Sequence, residues 1–168
     1  MSNPRSIEDR QSYHITFTTY GSWLHGDRRG SWASNGSFVP PNPSMERGER
    51  RRCKYEAVIL TAPMRRIVFD AIRAETDFRQ CKIRALNVLD NHVHMLIAVP
   101  RETKSKVILS QIKSSATVAL RKAGFFQDQL IWTSGGNVSI VDTEGYFWRV
   151  YNYIINKQKE QPFDREGR

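Results

Sequence analysis

Cysteine is scarce in this chain: Cys53 and Cys81 are the only two in 168 residues, which provides neither a disulfide framework nor a zinc-type spacing. Long hydrophobic runs are missing as well. No stretch approaches the roughly 18 apolar residues of a membrane span, and the polar opening MSNPRSIEDR has no signal-like hydrophobic centre. Acidic residues are in deficit, 17 against 26 Lys and Arg, giving a net charge of +9. Secreted, disulfide-stapled and membrane classes are thereby set aside, and a reduced, soluble, cytoplasmic domain is expected. The cation excess favours a polyanionic partner, nucleic acid or an anionic surface. What is present is an ordinary globular balance, 39% hydrophobic and 26% charged, at a length that suits one domain (1–168, core about 13–160).

Periodicity orders the chain. His14 to Thr19 reads as a strand, rich in β-branched and aromatic residues. From about 20 to 54 the pattern disappears into a long loop insertion with glycines, prolines, Trp23 and Trp32, ending in the basic run Arg47, Arg50, Arg51, Arg52 and Lys54. Thr61 as cap and Pro63 in the first turn open a helix with Ile67, Val68, Ala71 and Ile72 on one face. Two strands over 82–89 and 92–99 flank the turn pair Asp90-Asn91. A helix over 105–123 carries Val107, Ile108, Ile112, Val118 and Leu120, followed by a strand near 138–140 and a last helix over 143–159. The order strand, helix, strand, strand, helix, strand predicts an α+β, ferredoxin-like (split βαβ) antiparallel sheet with a C-terminal helix appended.

Two of the four histidines, His92 and His94, fall two apart on one expected strand. Side chains two apart on a strand share a face, so both imidazoles can reach one divalent ion. The last helix holds Tyr146, Phe147, Trp148, Tyr151 and Tyr153. Spacing of this kind places Phe147, Trp148 and Tyr151 in the core, whereas Tyr153 is followed one turn later by the polar Asn156 and Lys157. A phenol, with a pKa of about 10, attacks poorly at neutral pH unless a base or metal assists it. Given a metal and an electropositive groove, tyrosine attack on a phosphodiester conserves bond energy in a phosphotyrosine, and the strand can be rejoined without ATP. Trp23, Trp32, Arg28 and Arg29 could stack on or clamp unpaired bases, and Arg50, Arg51, Arg52 and Lys113 could follow phosphates. Anchoring of the loop is the alternative for the tryptophans.

His92-Val93-His94 after Asp90-Asn91, together with Tyr153-Ile154-Ile155-Asn156-Lys157-Gln158, resembles the His-hydrophobic-His (HUH) small single-tyrosine transposases, with YHITFTTYGSWLHGD and WTSGGN adding to the likeness. Its length and early insertion make the chain more similar to the REP-associated branch. The resemblance covers about 13–158. It implies Tyr153 as the nucleophile that joins a DNA 5′ phosphate, and His92 and His94 as ligands of Mg2+ or Mn2+. It also implies a homodimer acting on single-stranded, hairpin-containing DNA, the tyrosine helix of one protomer often serving the histidines of the other. The family's third ligand stands four residues after the tyrosine. Here that position is Lys157, which cannot ligate while protonated, so Gln158 is matched to it, with Asn156 as the alternative. A hairpin-binding protein of the same fold with weakened or lost cleavage is the rival reading, and an RNA-binding module on the same architecture is the more distant one.

Overall fold

In a computed structural model, residues 9–33 and 35–157 are described. Strand β1 (Arg10–Thr18) lies inside a four-stranded sheet between β5 (His92–Pro100) and β6 (Asn137–Val141), while β4 (Lys82–Val88) pairs outside β5. Every neighbouring pair is antiparallel, as the split βαβ order requires. Helices α2 (Ala62–Phe78) and α3 (Ser105–Lys122) pack against each other and cover one face of the sheet. Ile15 and Phe17 of β1, and Val93, Met95, Ile97 and Val99 of β5, point into that core. Alternation then sends the even-numbered residues of β1 and β5 to the opposite face. There α4 (Glu144–Asn152), continued by a π turn (Tyr153–Lys157), closes a second, smaller core of Ala85, Leu96, Val141, Val150 and Ile154.

Three expectations are corrected. The insertion over 20–54 is not structureless: it holds a short hairpin of β2 (Ser31–Trp32) and β3 (Phe38–Val39), then helix α1 (Pro43–Arg52). Asn42 caps α1 by accepting from the amides of Ser44 and Met45, and Pro43 fits its first turn. This helix buries none of its residues, and so it leaves no apolar period to read. Gly26, at φ +88°, lets α1 approach, because a Cβ there would collide with the Asn42 carbonyl. The second correction concerns the last helix, which is α-helical only to Asn152 before widening. The third concerns packing. Val107, Val118 and Trp148 are exposed, while Leu109 and Ala116 occupy the core side of α3. Thr61 holds the cap position of α2 without a side-chain bond.

The turn before β5 is pinned at both ends. Leu89 N–H donates to the His92 carbonyl, and Thr19 N–H to that of Asn91. Thr19, fully buried, also donates its hydroxyl to the Val58 carbonyl at 2.7 Å. These bonds fix where β5 starts, and therefore where His92 stands.

Candidate active site

The second face of the sheet is divided. At one end Ala85, Leu96 and Val141 lie beneath Val150 and Ile154. Towards the other, Thr16 and Thr18 of β1, His92 of β5 and Asn137 of β6 form a polar surface, each half-buried or exposed. The histidine pair sits on the seam. His92 and His94 have ring centroids 4.9 Å apart at 86°, so the shared face expected from their spacing is observed.

Each imidazole is held through Nδ1. His92 Nδ1 lies 2.6 Å from Asn91 Oδ1, and His94 Nδ1 lies 3.3 Å from His14 Nε2. His94 is only 8% exposed. Burial foremost, then repulsion from His92 and His14, holds its pKa down at about 3. Burial also lowers the pKa of His14. His94 and His14 are therefore neutral at pH 7, the state in which an imidazole can ligate a metal or accept a hydrogen bond.

Tyr153 meets His94 edge-on within the same chain, with ring centroids 5.3 Å apart at 89°. Tyr153 itself is 45% exposed. Two features set its position. Val150 and Ile154 on either side of it are buried in the smaller core, which fixes the helix against the sheet. Beyond Asn152 the helix opens into the π turn, a form that recurs at functional sites. There Asn87 Nδ2 donates to the Ile154 carbonyl at 3.3 Å. Asn87 is the register partner of His94 on β4, so one buried amide links the strand beside the histidine to the turn that begins with the tyrosine.

His14 and Asn87 were not singled out by the sequence patterns. Asn87 carried a signal, a carboxamide in the middle of an otherwise apolar strand half. His14 had only its even position on β1, which gains meaning once the register places it diagonally from His94.

The remaining candidates are dispersed. Arg29 pairs with Asp27 at 2.8 Å and stacks over Trp23 at 4.3 Å, while Trp23 donates its indole N–H to the Gly30 carbonyl. The Arg29 guanidinium thus anchors the insertion, and it holds the Asp27 carboxyl below its usual pKa range through their hydrogen bond. Arg28 is exposed nearby. Arg50, Arg51 and Arg52 are exposed along α1, Arg50 bonding Glu46 at 3.0 Å and Arg52 lying 3.7 Å from Glu49. Lys113 donates to the carbonyls of Thr133 (2.5 Å) and Gly135 (2.8 Å), tying down the loop before β6. Asn156 is exposed, with its amide 3.4 Å from Asn152 Oδ1. Gln158 lies outside the described residues. Among the described residues no group of three His, Cys, Asp or Glu could hold a metal ion, so a third protein ligand has to be of another type. No described helix is long and apolar enough to cross a membrane.

Solved structures place this arrangement among transposase folds. The chain is similar to the structure titled as a REP-associated tyrosine transposase bound to a REP hairpin, at 14% identity and a TM-score of 0.55, covering 92% of this chain and 71% of that one. It is also similar to a Deinococcus radiodurans protein described as a transposase, at 15% identity and a TM-score of 0.51, covering 94% of this chain and 98% of that one. No curated protein matches. The family described as "Transposase IS200 like" matches residues 51–157, which include both histidines and Tyr153. The chain belongs to the IS200-like transposase family.

Proposed function

We propose that this transposase cuts and rejoins single-stranded DNA at hairpin-containing sites through a covalent 5′-phosphotyrosine. The observation that carries the reading is the contact of Tyr153 with His94, itself paired with His92, on the seam between the packed and the open half of one sheet face. In the forward step the Tyr153 oxygen forms the bond to phosphorus and the 3′ oxygen leaves, taking up a proton as the phenol gives one up. Rejoining is the reverse attack by a 3′ hydroxyl. The donor set fits a divalent ion: two adjacent imidazoles, each with a partner at Nδ1, and one amide oxygen would supply the protein ligands. When bound, Mn2+ or Mg2+ supplies Lewis-acid polarisation of a phosphate oxygen.

The π turn supports Gln158 as the amide ligand. Such a turn relates a residue to the fifth one after it, whereas an α-helix relates it to the fourth. An amide at the fifth position is thus in keeping with the widened turn, and Lys157 at the fourth need not ligate. Hairpin DNA is supported by the hairpin bound in the first similar structure and by the charge of +9. A homodimer, the other part of this reading, has the open edge of β6 as its support, where Ile140 is more than half exposed. Since Tyr153 meets a histidine of its own chain, each protomer carries both halves of the proposed site.

The test is incubation of the protein with single-stranded hairpin DNA and Mn2+, followed by a denaturing gel. A protein–DNA adduct is expected from the wild type and none from Tyr153→Phe, which should still bind the DNA. An adduct that survives this substitution refutes Tyr153 as the nucleophile. Wild-type binding without any adduct selects the hairpin-binding reading instead.

A further inference from the structure

An imidazole can coordinate through Nε2 only while its proton sits on Nδ1, and the partner of Nδ1 decides this. For His92 the partner is the oxygen Asn91 Oδ1 at 2.6 Å, which can only accept, so the proton is on Nδ1. For His94 the partner is another imidazole nitrogen, His14 Nε2 at 3.3 Å, and either polarity is chemically allowed. The two polarities have opposite consequences. If His14 donates, the neutral His94 carries its proton on Nε2, and the pair cannot converge on an ion. If His14 accepts, the lone pair of His94 lies on Nε2, as that of His92 does.

His14 is well placed for this duty. It lies on β1 opposite Leu96, one same-face step along the strand from Thr16, the partner of His94. Its ring stacks on that of His94 at 5.5 Å and 21°. It does not build a three-histidine centre, since no such group is found among the described residues. We infer that His14 is a positioning residue, whose Nε2 accepts the His94 Nδ1 proton and so orients His94 Nε2 for the metal. The inference rests on the metal-dependent reading given above, but the tautomer it requires exists in the metal-free protein and can be measured there.

The experiment uses 15N-histidine-labelled protein, first without metal. Long-range 1H–15N correlations distinguish the two tautomers. Wild-type His94 should carry its proton on Nδ1, and His14→Phe, which keeps a ring but no acceptor, should shift it to Nε2. His14→Gln, with an acceptor near the place of Nε2, should restore the wild-type pattern. Mn2+ affinity, read from the EPR signal of free ion, should fall about 10–100-fold in His14→Phe and recover in His14→Gln. A wild-type His94 protonated at Nε2 overturns the inference even if no variant folds. So does a folded His14→Phe protein with the wild-type tautomer and affinity. If the tautomers behave as stated yet neither the wild type nor His92→Ala binds Mn2+, the metal reading fails while the orienting bond stands.

Discussion

Removing the amide of Asn87 should displace the tyrosine without touching it. Asn87 is 1% exposed, and its Nδ2 donates to the carbonyl of Ile154, a residue with no exposed surface. Substitution by leucine keeps a side chain of similar size and deletes the donor. A buried carbonyl then loses its partner, at a cost of about 1–3 kcal/mol. Taking about 2 kcal/mol, and roughly 2–4 °C per kcal/mol for a domain of this size, Tm should fall by about 4–8 °C. The local effect should be larger than the global one, because the bond is made at the π turn itself. Amide exchange at 153–157 should accelerate, while exchange in β1 and β5 should change only by the global amount. Adduct formation, assayed well below the new Tm, should slow by at least about tenfold, since misplacing a reacting group by an ångström can cost on the order of a hundredfold. An Asn87→Leu protein with wild-type exchange at 153–157 and wild-type adduct rate would refute the reasoning. It would show that Val150 and Ile154 alone position Tyr153.

Two further outcomes can be checked. The Asp27 carboxyl has its pKa lowered, first by its bond to Arg29; the stability it adds is therefore fully present above the unfolded value of about 3.9 and is lost as pH falls through the folded value. In acid titrations followed by Trp23 fluorescence, wild type should lose order in the insertion across that window. Asp27→Asn should begin looser and show no such step, and coincident curves would count against the anchor. Replacing Arg50, Arg51 and Arg52 together with glutamine should weaken binding of hairpin DNA and reduce the salt slope by about one for each phosphate that is no longer neutralised. Anisotropy titrations at several salt concentrations measure both, and an unchanged slope would remove α1 from the DNA interface.

Much of this architecture is legible in the chain because it is written in periods. Alternating strands and the apolar stripes of α2 and α3 bury one face of one sheet, and that requirement leaves a clear pattern. The shared face of His92 and His94 follows from the same alternation. Three things escape it for physical reasons. Helix α1 buries nothing and is held by the Asn42 cap and by close approach over Gly26, so no stripe announces it. The π turn changes the helical count by one residue, and regular α geometry misplaces whatever follows Tyr153. His14 reaches His94 only through strand register, which is set by long-range pairing rather than by local sequence.

The division of the second sheet face has a consequence for how this protein can change. Thr16, Thr18, Asn137 and Ser139 border the histidines from the side that carries little of the apolar packing, none of them fully buried. Exchanging one polar group for another there sacrifices few packed methyls, so the lining can be rewritten at small thermodynamic cost while the far side keeps the chain folded. The chemistry of this lining and the stability of the fold are thereby separable traits, each free to be altered with limited damage to the other.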